Sequence, residues 1–174
     1  IKIILAGRLL KDKGIDNYIE LSKNFKQKNV TFYLAGDLDK GNPKSLTQKE
    51  LEVIKSQSSI NYLGYIDLQK ELHNYDLLIS LSDHEGFSRV LLEAMYVGLF
   101  VVAYENNGTK YIDNFKNTIL INSKDKKSLE DTINKFLIQE KFVSKQNREQ
   151  IEKSYSTKKV ASQFLNIYKK YNED

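Results

Sequence analysis

The 174-residue chain has no cysteine and no tryptophan, one methionine, one proline and two histidines. Without cysteine there is neither a disulfide framework nor a thiolate metal site. His73 and His84 are too few for a histidine-rich metal site. No apolar run approaches the roughly 20 residues that cross a bilayer. No block of basic residues is interleaved with aromatics, which argues against nucleic acid as a partner. The net charge of +4 is mild; it suits a small anionic ligand or an anionic membrane surface and demands neither. No charged-then-apolar leader opens the chain, so no signal peptide is expected. The chain starts on the strand-like run "IKIILAGRLL" without a methionine, and is expected to be one domain of a longer protein.

What is present suffices for one domain. At 174 residues and 40% hydrophobic content, a single core can form but two full-sized ones cannot. Short apolar runs alternate with amphipathic stretches. "KIILAG" (2–7), "VTFYLAG" (30–36), "INYLG" (60–64), "DLLISLS" (76–82), "LFVVAY" (99–104) and "TILIN" (118–122) read as strands. Helices are expected over 14–28, to about Lys55, from the cap Asp67 to about Asn74, from about Phe87 to 98, and from Asp125. "DLDKGNPKSLT" (37–47), with the lone proline Pro43, reads as a loop. The tail places Val160, Phe164, Ile167, Tyr168 and Tyr171 on one helical face. Six apolar strands alternating with helices predict a doubly wound, Rossmann-like α/β domain: a parallel six-stranded sheet, helices on both faces, strand order 3-2-1-4-5-6.

In such a sheet a ligand lies beyond the carboxyl ends of the strands, where the order reverses. Arg8 and Lys13 follow the first strand, Tyr65 the third, and His84, Glu85 and Gly86 the fourth. The order expected puts the first and fourth strands side by side, so Arg8, Lys13, Glu85 and the start of the following helix share one crevice. Arg8 and Lys13 suit a phosphate or diphosphate. The turn Gly86–Phe87–Ser88–Arg89 opens a helix, whose free N–H groups attract an anion. The glutamates suit hydroxyl donors instead. Glu93 lies six residues past Phe87, roughly 9 Å along a helix axis. Glu85 stands before the helix starts. Hydroxyls at both ends with phosphates between is the layout of a nucleotide sugar.

The same residues resemble the C-terminal, donor-binding domain of retaining GT-B glycosyltransferases, specifically glycosyltransferase family 4 (group 1). "GRLLKDKG" (7–14), "YLAGD", "YLGYID" and "LLISLSDHEGFSRVLLEAMYVGLFVVA" carry the likeness, the last with glutamates at 85 and 93. "YSTKKVASQFLNIYKKY" resembles the final helix that packs back towards the N-terminal domain. The resemblance implies one nucleotide-sugar-binding domain over 1–174, with the N-terminal acceptor domain absent and the fragment inactive alone. It implies that Arg8 and Lys13 hold the donor diphosphate, that Glu85 contacts the transferred sugar, and that Gly86, Phe87, Ser88 and Arg89 surround phosphate and sugar. Glu93 would bind the ribose and Tyr65 lie near the base. Arg8, Lys13 and Glu85 form the implied catalytic set. No metal or cofactor is implied; the donor is of UDP or GDP type. The acceptor is a glycan, lipid-linked or glycolipid molecule, and the enzyme is cytoplasmic, with room for peripheral association at the inner face of the plasma membrane. The sequence departs from the family pattern at Asn107, Tyr111, Thr118 and Ser88, where glycines and one acidic residue are common. A nucleotide-sugar epimerase, half of a phosphorylase-like enzyme and a catalytically silent nucleotide-binding module remain open alternatives.

Overall fold

The structure, a computed structural model, describes residues 1–25, 29–57, 59–123, 125–138 and 145–171. Six strands form one parallel sheet in the order β3-β2-β1-β4-β5-β6: β1 (Lys2–Ala6), β2 (Thr31–Ala35), β3 (Ile60–Gly64), β4 (Leu77–Ser80), β5 (Phe100–Tyr104) and β6 (Thr118–Ile121). This is the order expected from the sequence. Every pairing between the six strands is parallel, so each return runs across a face of the sheet, and the central strands are apolar on both sides.

The alternation of side chains along β1 and β4 divides the core into two layers. Ile3, Leu5, Leu77 and Ile79 face helices α1 (Ile15–Lys23), α2 (Gln48–Lys55) and α5 (Lys126–Ile138), with Tyr18, Leu51 and Ile133 buried against them. Ile4 and Leu78 face the opposite layer. There Leu72 follows α3 (Leu68–Glu71), Leu91, Ala94 and Met95 come from α4 (Arg89–Tyr96), and Ile151 from α6 (Lys145–Tyr155). Thr47 caps α2 through a capping box with Glu50. At α5, the Ser128 N–H donates to the Asp125 carboxylate at 2.8 Å. Asp67 stands at the α3 N-cap without a side-chain cap bond and pairs with Lys70 instead.

Three expectations shift. The helix expected over 14–28 ends at Lys23; residues 26–28 lie outside the described ones, as do 172–174 of the tail. The helix expected from Phe87 begins at Arg89, with Ser88 at its N-cap. Helix α6 was not legible, because "KQNREQIEKSY" has almost no apolar periodicity. Besides the packing of Ile151 and Tyr155, a polar clasp holds it: the buried Asn147 amide accepts from the Lys116 N–H at 2.8 Å and donates to the Lys116 carbonyl at 2.6 Å. The final helix α7 (Thr157–Tyr171) keeps Phe164, Leu165, Ile167 and Tyr168 each more than half exposed. No described helix is long and apolar enough to cross a membrane.

Tyr18 ties α1 to the sheet centre. Its hydroxyl is 3.0 Å from the Ile3 carbonyl and 2.9 Å from the Tyr33 carbonyl, donating to both. Burial pushes its phenol well above the usual value of 10.0. Above about pH 10 an unfolded tyrosine loses its proton while Tyr18 keeps it. The unfolded state then binds fewer protons, so stability falls as pH rises. Chemical denaturation at pH 8 and pH 10.5 should show that fall, with a shallower one in Tyr18→Phe, which itself loses about 1 kcal/mol at neutral pH. Parallel slopes in the two proteins would remove Tyr18 as the cause.

Candidate functional site

Strands β1 and β4 are neighbours at the sheet centre, and the chain leaves their carboxyl ends in opposite directions. That divergence opens the crevice. Two loops rim it, and both are clamped. After β1, the buried Leu9 and Leu10 anchor the segment, and Lys11–Lys13 form one 3-10 turn ended by Gly14 in the left-handed region. A Cβ at Gly14 would collide with the Leu81 carbonyl of the opposite loop. The Asp83 N–H donates to the Asp12 carbonyl across the crevice at 3.1 Å. The loop after β5 presses from the other side. Asn106 donates to the Ser82 carbonyl at 3.0 Å and accepts from the Gly108 N–H at 3.0 Å. Gly108 lies so close beneath Glu85 that a Cβ there would overlap the Glu85 carbonyl.

These clamps bring Lys13 and Glu85 together. Lys13 Nζ donates to Glu85 Oε1 at 2.6 Å, with side chains only 19% and 16% exposed. The pair sits in a cavity of about 310 Å³ that Arg8, Phe87, Ser88 and Arg89 also line. Arg8 is shared with a neighbouring cavity of about 260 Å³, lined by Asp37, Asp39, Tyr65, Ile66 and Leu68. Phe87 and Arg89 are shared with a groove of about 750 Å³ between α3, α4, α6 and α7, where Glu93 lies. The three spaces adjoin one another through shared lining residues, with Leu68 common to the second cavity and the groove, and form a branched trough.

The structure thus gathers Arg8, Lys13, Glu85, Phe87, Ser88 and Arg89 around one cavity and puts Tyr65 and Glu93 in the two adjoining spaces, which meet at Leu68. Tyr65 is 78% exposed, so its ring is free to cover a flat ligand. Gly86 lies in the turn between Glu85 and Phe87, with open space where a Cβ would be. Glu93 is four residues into α4, about 6 Å along the axis, and faces the groove rather than the Lys13–Glu85 cavity. Each cation of the trough already has a carboxylate: Arg8 meets Asp39 at 2.7 Å, Lys13 meets Glu85 at 2.6 Å, and Arg89 meets Glu93 at 3.5 Å. Ser88 makes no side-chain cap bond, so the first N–H groups of α4 have neither an intrahelical partner nor a hydroxyl cap. Among the described residues no group of three or more His, Cys, Asp or Glu is placed to hold a metal.

The turn into α4 is fixed from outside by residues that sequence reading had marked only as departures or not at all. The Tyr111 hydroxyl donates to the Ser88 carbonyl at 2.7 Å. Its ring stacks on Phe87 at 4.6 Å, and Phe87 stacks in turn on Tyr155. Burial, reinforced by Tyr155 and Glu85, pushes the Tyr111 phenol far above its ordinary range, so it remains a donor. Thr118 donates to the carbonyls of Ile112 and Phe115, closing the short 3-10 segment that presents Tyr111. Asp39 and Gln69 gave no sequence signal beyond lying in loop or short helix. Asn106 and Gly108 gave only the turn signal of "ENNG".

The family described as "Glycosyl transferases group 1" matches residues 1–157. The poly(ribitol-phosphate) alpha-N-acetylglucosaminyltransferase of Staphylococcus aureus (strain COL) is 29% identical over 171 residues, covering 93% of this chain and 34% of its own length. A Campylobacter jejuni N,N'-diacetylbacillosaminyl-diphospho-undecaprenol alpha-1,3-N-acetylgalactosaminyltransferase is 28% identical over 170 residues, covering 95% and 44%. Of solved structures, Anabaena HepE in complex with UDP-glucose superposes with a TM-score of 0.83 at 21% identity, over 97% of this chain and 48% of that one. The sucrose-phosphate synthase of Thermosynechococcus elongatus superposes with a TM-score of 0.85 at 20% identity, over 99% and 46%. At these identities the superpositions establish the fold. The chain spans less than half the length of each of these proteins.

The clamp at Gly108 predicts a local defect. Gly108→Ala must push Glu85 away, so amide hydrogen exchange across 83–88 should rise well above wild type while the sheet core stays protected. Unchanged exchange there would show that the β5 loop does not hold Glu85. Tyr111→Phe should loosen the same turn more mildly, by about 1 kcal/mol of local opening.

Proposed function

The chain belongs to the glycosyl transferases of group 1, and from that membership we propose that it is the donor-binding, C-terminal half of a retaining family 4 glycosyltransferase. The observation that carries this reading is the trough itself. Arg8, Lys13 and Arg89 line one cavity with the free start of α4, and carboxylates lie on its two sides. A nucleoside diphosphate sugar supplies the complementary order of groups. Its base lies beside Tyr65 in the cavity that also holds Asp37 and Asp39, its ribose follows and reaches Glu93 past Leu68, where that cavity meets the groove, and its diphosphate lies on Arg8, Lys13 and the helix start. The transferred sugar lies against Glu85.

Charge favours this orientation. The cavity of Lys13 carries Lys13 and Arg89 against one carboxylate, with Arg8 at its rim, whereas in the cavity of Tyr65 the Arg8 guanidinium faces two carboxylates, Asp37 and Asp39. Phosphate is drawn to the first and an uncharged base is tolerated in the second. On binding, partners exchange: a cation trades its carboxylate for phosphate, and Glu85 or Glu93 trades its cation for a hydroxyl. When the bond from the anomeric carbon to the diphosphate breaks, negative charge grows on the leaving diphosphate. Lys13 and the α4 N–H groups border that space, and Arg8 lies at its rim, within reach of the charge. These groups take the part that a metal plays elsewhere, so the reaction proceeds without one.

The acceptor belongs to the other half. Relatives named for acting on poly(ribitol-phosphate) and on a diphospho-undecaprenol glycan support a polymer or lipid-linked glycan as its class. A lipid-linked acceptor would bring the enzyme to the cytoplasmic membrane surface. The bare apolar side of α7 fits a helix covered by that half, and this chain alone is expected to bind donor without transferring sugar.

Calorimetric titration with UDP, GDP, ADP and their sugars tests the reading. Binding of at least one nucleotide in the millimolar range or tighter is expected, and silence across the panel contradicts it. Glu93→Gln should weaken nucleotide binding about tenfold or more, the loss of charge-assisted bonds to two hydroxyls. Glu85→Gln should leave UDP or GDP binding intact but impair sugar binding in the full-length enzyme. The opposite pattern would mean that the ligand lies the other way round.

A further inference from the structure

Of the three carboxylates that neutralise the trough, Glu85 and Glu93 have hydroxyls to receive when a donor arrives. Asp39 has none in the scheme above, yet it holds the same guanidinium that must meet the diphosphate. Asp39 is fixed where it stands. Its Oδ2 also accepts from the Asn42 amide at 2.9 Å, and its N–H donates to Ser45 Oγ at 3.0 Å. The loop carrying it is stitched to the segment after β1, with Lys11 donating to the Lys44 carbonyl and Leu46 to the Leu9 carbonyl. The hydrogen bond from Asn42 and then the Arg8 guanidinium keep the Asp39 carboxyl below its ordinary value, so it is ionised at neutral pH.

The empty site is therefore self-neutralised, and a diphosphate gains little unless a pair opens. The pairs differ in what opening costs. Lys13–Glu85 is largely buried, at 19% and 16% exposure, whereas Arg8 is 65% exposed and Asp39 28%. Exposed pairs are weak and buried ones expensive to break. Arg8 also lines both cavities, so a rotation of its side chain carries the charge from one to the other.

We propose that Asp39 is a positioning residue that parks Arg8 away from the diphosphate cavity in the empty state, and that donor binding releases this latch first. The inference rests on the donor-site reading above. It makes Asp39 a brake on affinity for the phosphates, over and above whatever it contributes beside the base. The carboxylate sets how strongly the empty site attracts a charged ligand.

The test is calorimetry on wild type, Asp39→Asn, Asp39→Glu, Arg8→Ala and Arg8→Ala/Asp39→Asn, with UDP and GDP and with uridine and guanosine as uncharged controls. Asp39→Asn is nearly isosteric and keeps an oxygen for Asn42. Relative to its effect on the nucleoside, it should lower the Kd for the diphosphate roughly two- to fivefold, the range an exposed ion pair commands, and steepen the salt dependence. Asp39→Glu should return to wild type. In the Arg8→Ala background the substitution should have no effect. A wild type that binds neither diphosphate overturns the donor-site reading, and the latch with it. Diphosphate binding by wild type that is unchanged or weakened in Asp39→Asn overturns the latch alone. A gain that persists without Arg8 also overturns it, because it would then be simple repulsion between Asp39 and phosphate.

Discussion

The pairing of β1 with β4 is the constraint on which the rest depends. These strands share the sheet centre, and the chain departs from them towards opposite edges. The loops beyond their carboxyl ends cannot close over each other, so a crevice is unavoidable. What the sequence adds is the control of its width. Gly14 against Leu81, Gly108 beneath Glu85 and the Asp83–Asp12 bond set the two rims at van der Waals and hydrogen-bond distance. Only then can a lysine from one loop and a glutamate from the other meet across it.

The architecture was legible because its signals are local and redundant. Runs such as "KIILAG" and "LFVVAY" are apolar on both faces, and in a chain alternating strand and helix that leaves few sheets to choose from. Helix α6 escaped for the opposite reason: its hold on the body combines Asn147 on the Lys116 backbone with only two packed side chains, Ile151 and Tyr155, too few to leave a periodic trace. The start of α4 was misplaced by two residues because Phe87 looks like a first helical residue. In the fold it is drawn sideways onto Tyr111 instead.

The gathering of the candidate residues was legible, and their pairings were not. Arg8, Lys13, Glu85 and the turn at Ser88 are brought to one cavity, as the strand ends implied. The partner of each charge was invisible, because Asp39, Glu85 and Glu93 lie 31, 72 and 4 positions from their cations. Only the last is a spacing that helix geometry announces. Tyr111 shows how a departure from a family pattern can be constructive. Where an acidic side chain is usual, a phenol kept neutral by burial braces the turn through Ser88 and Phe87.

A site whose cations are all occupied at rest has a bearing on life among competing solutes. Cells hold millimolar inorganic phosphate and abundant polyanions, and an open cluster of three bare cations on a basic protein would collect them. Here each such competitor must displace a tethered carboxylate and has nothing to offer the carboxylate it evicts. On the proposed donor reading, a molecule bearing hydroxyls beside its phosphates would rehouse Glu85 or Glu93 as well as the cation it takes. Internal neutralisation would then act as a filter, favouring ligands by the order of their groups over those that bring charge alone.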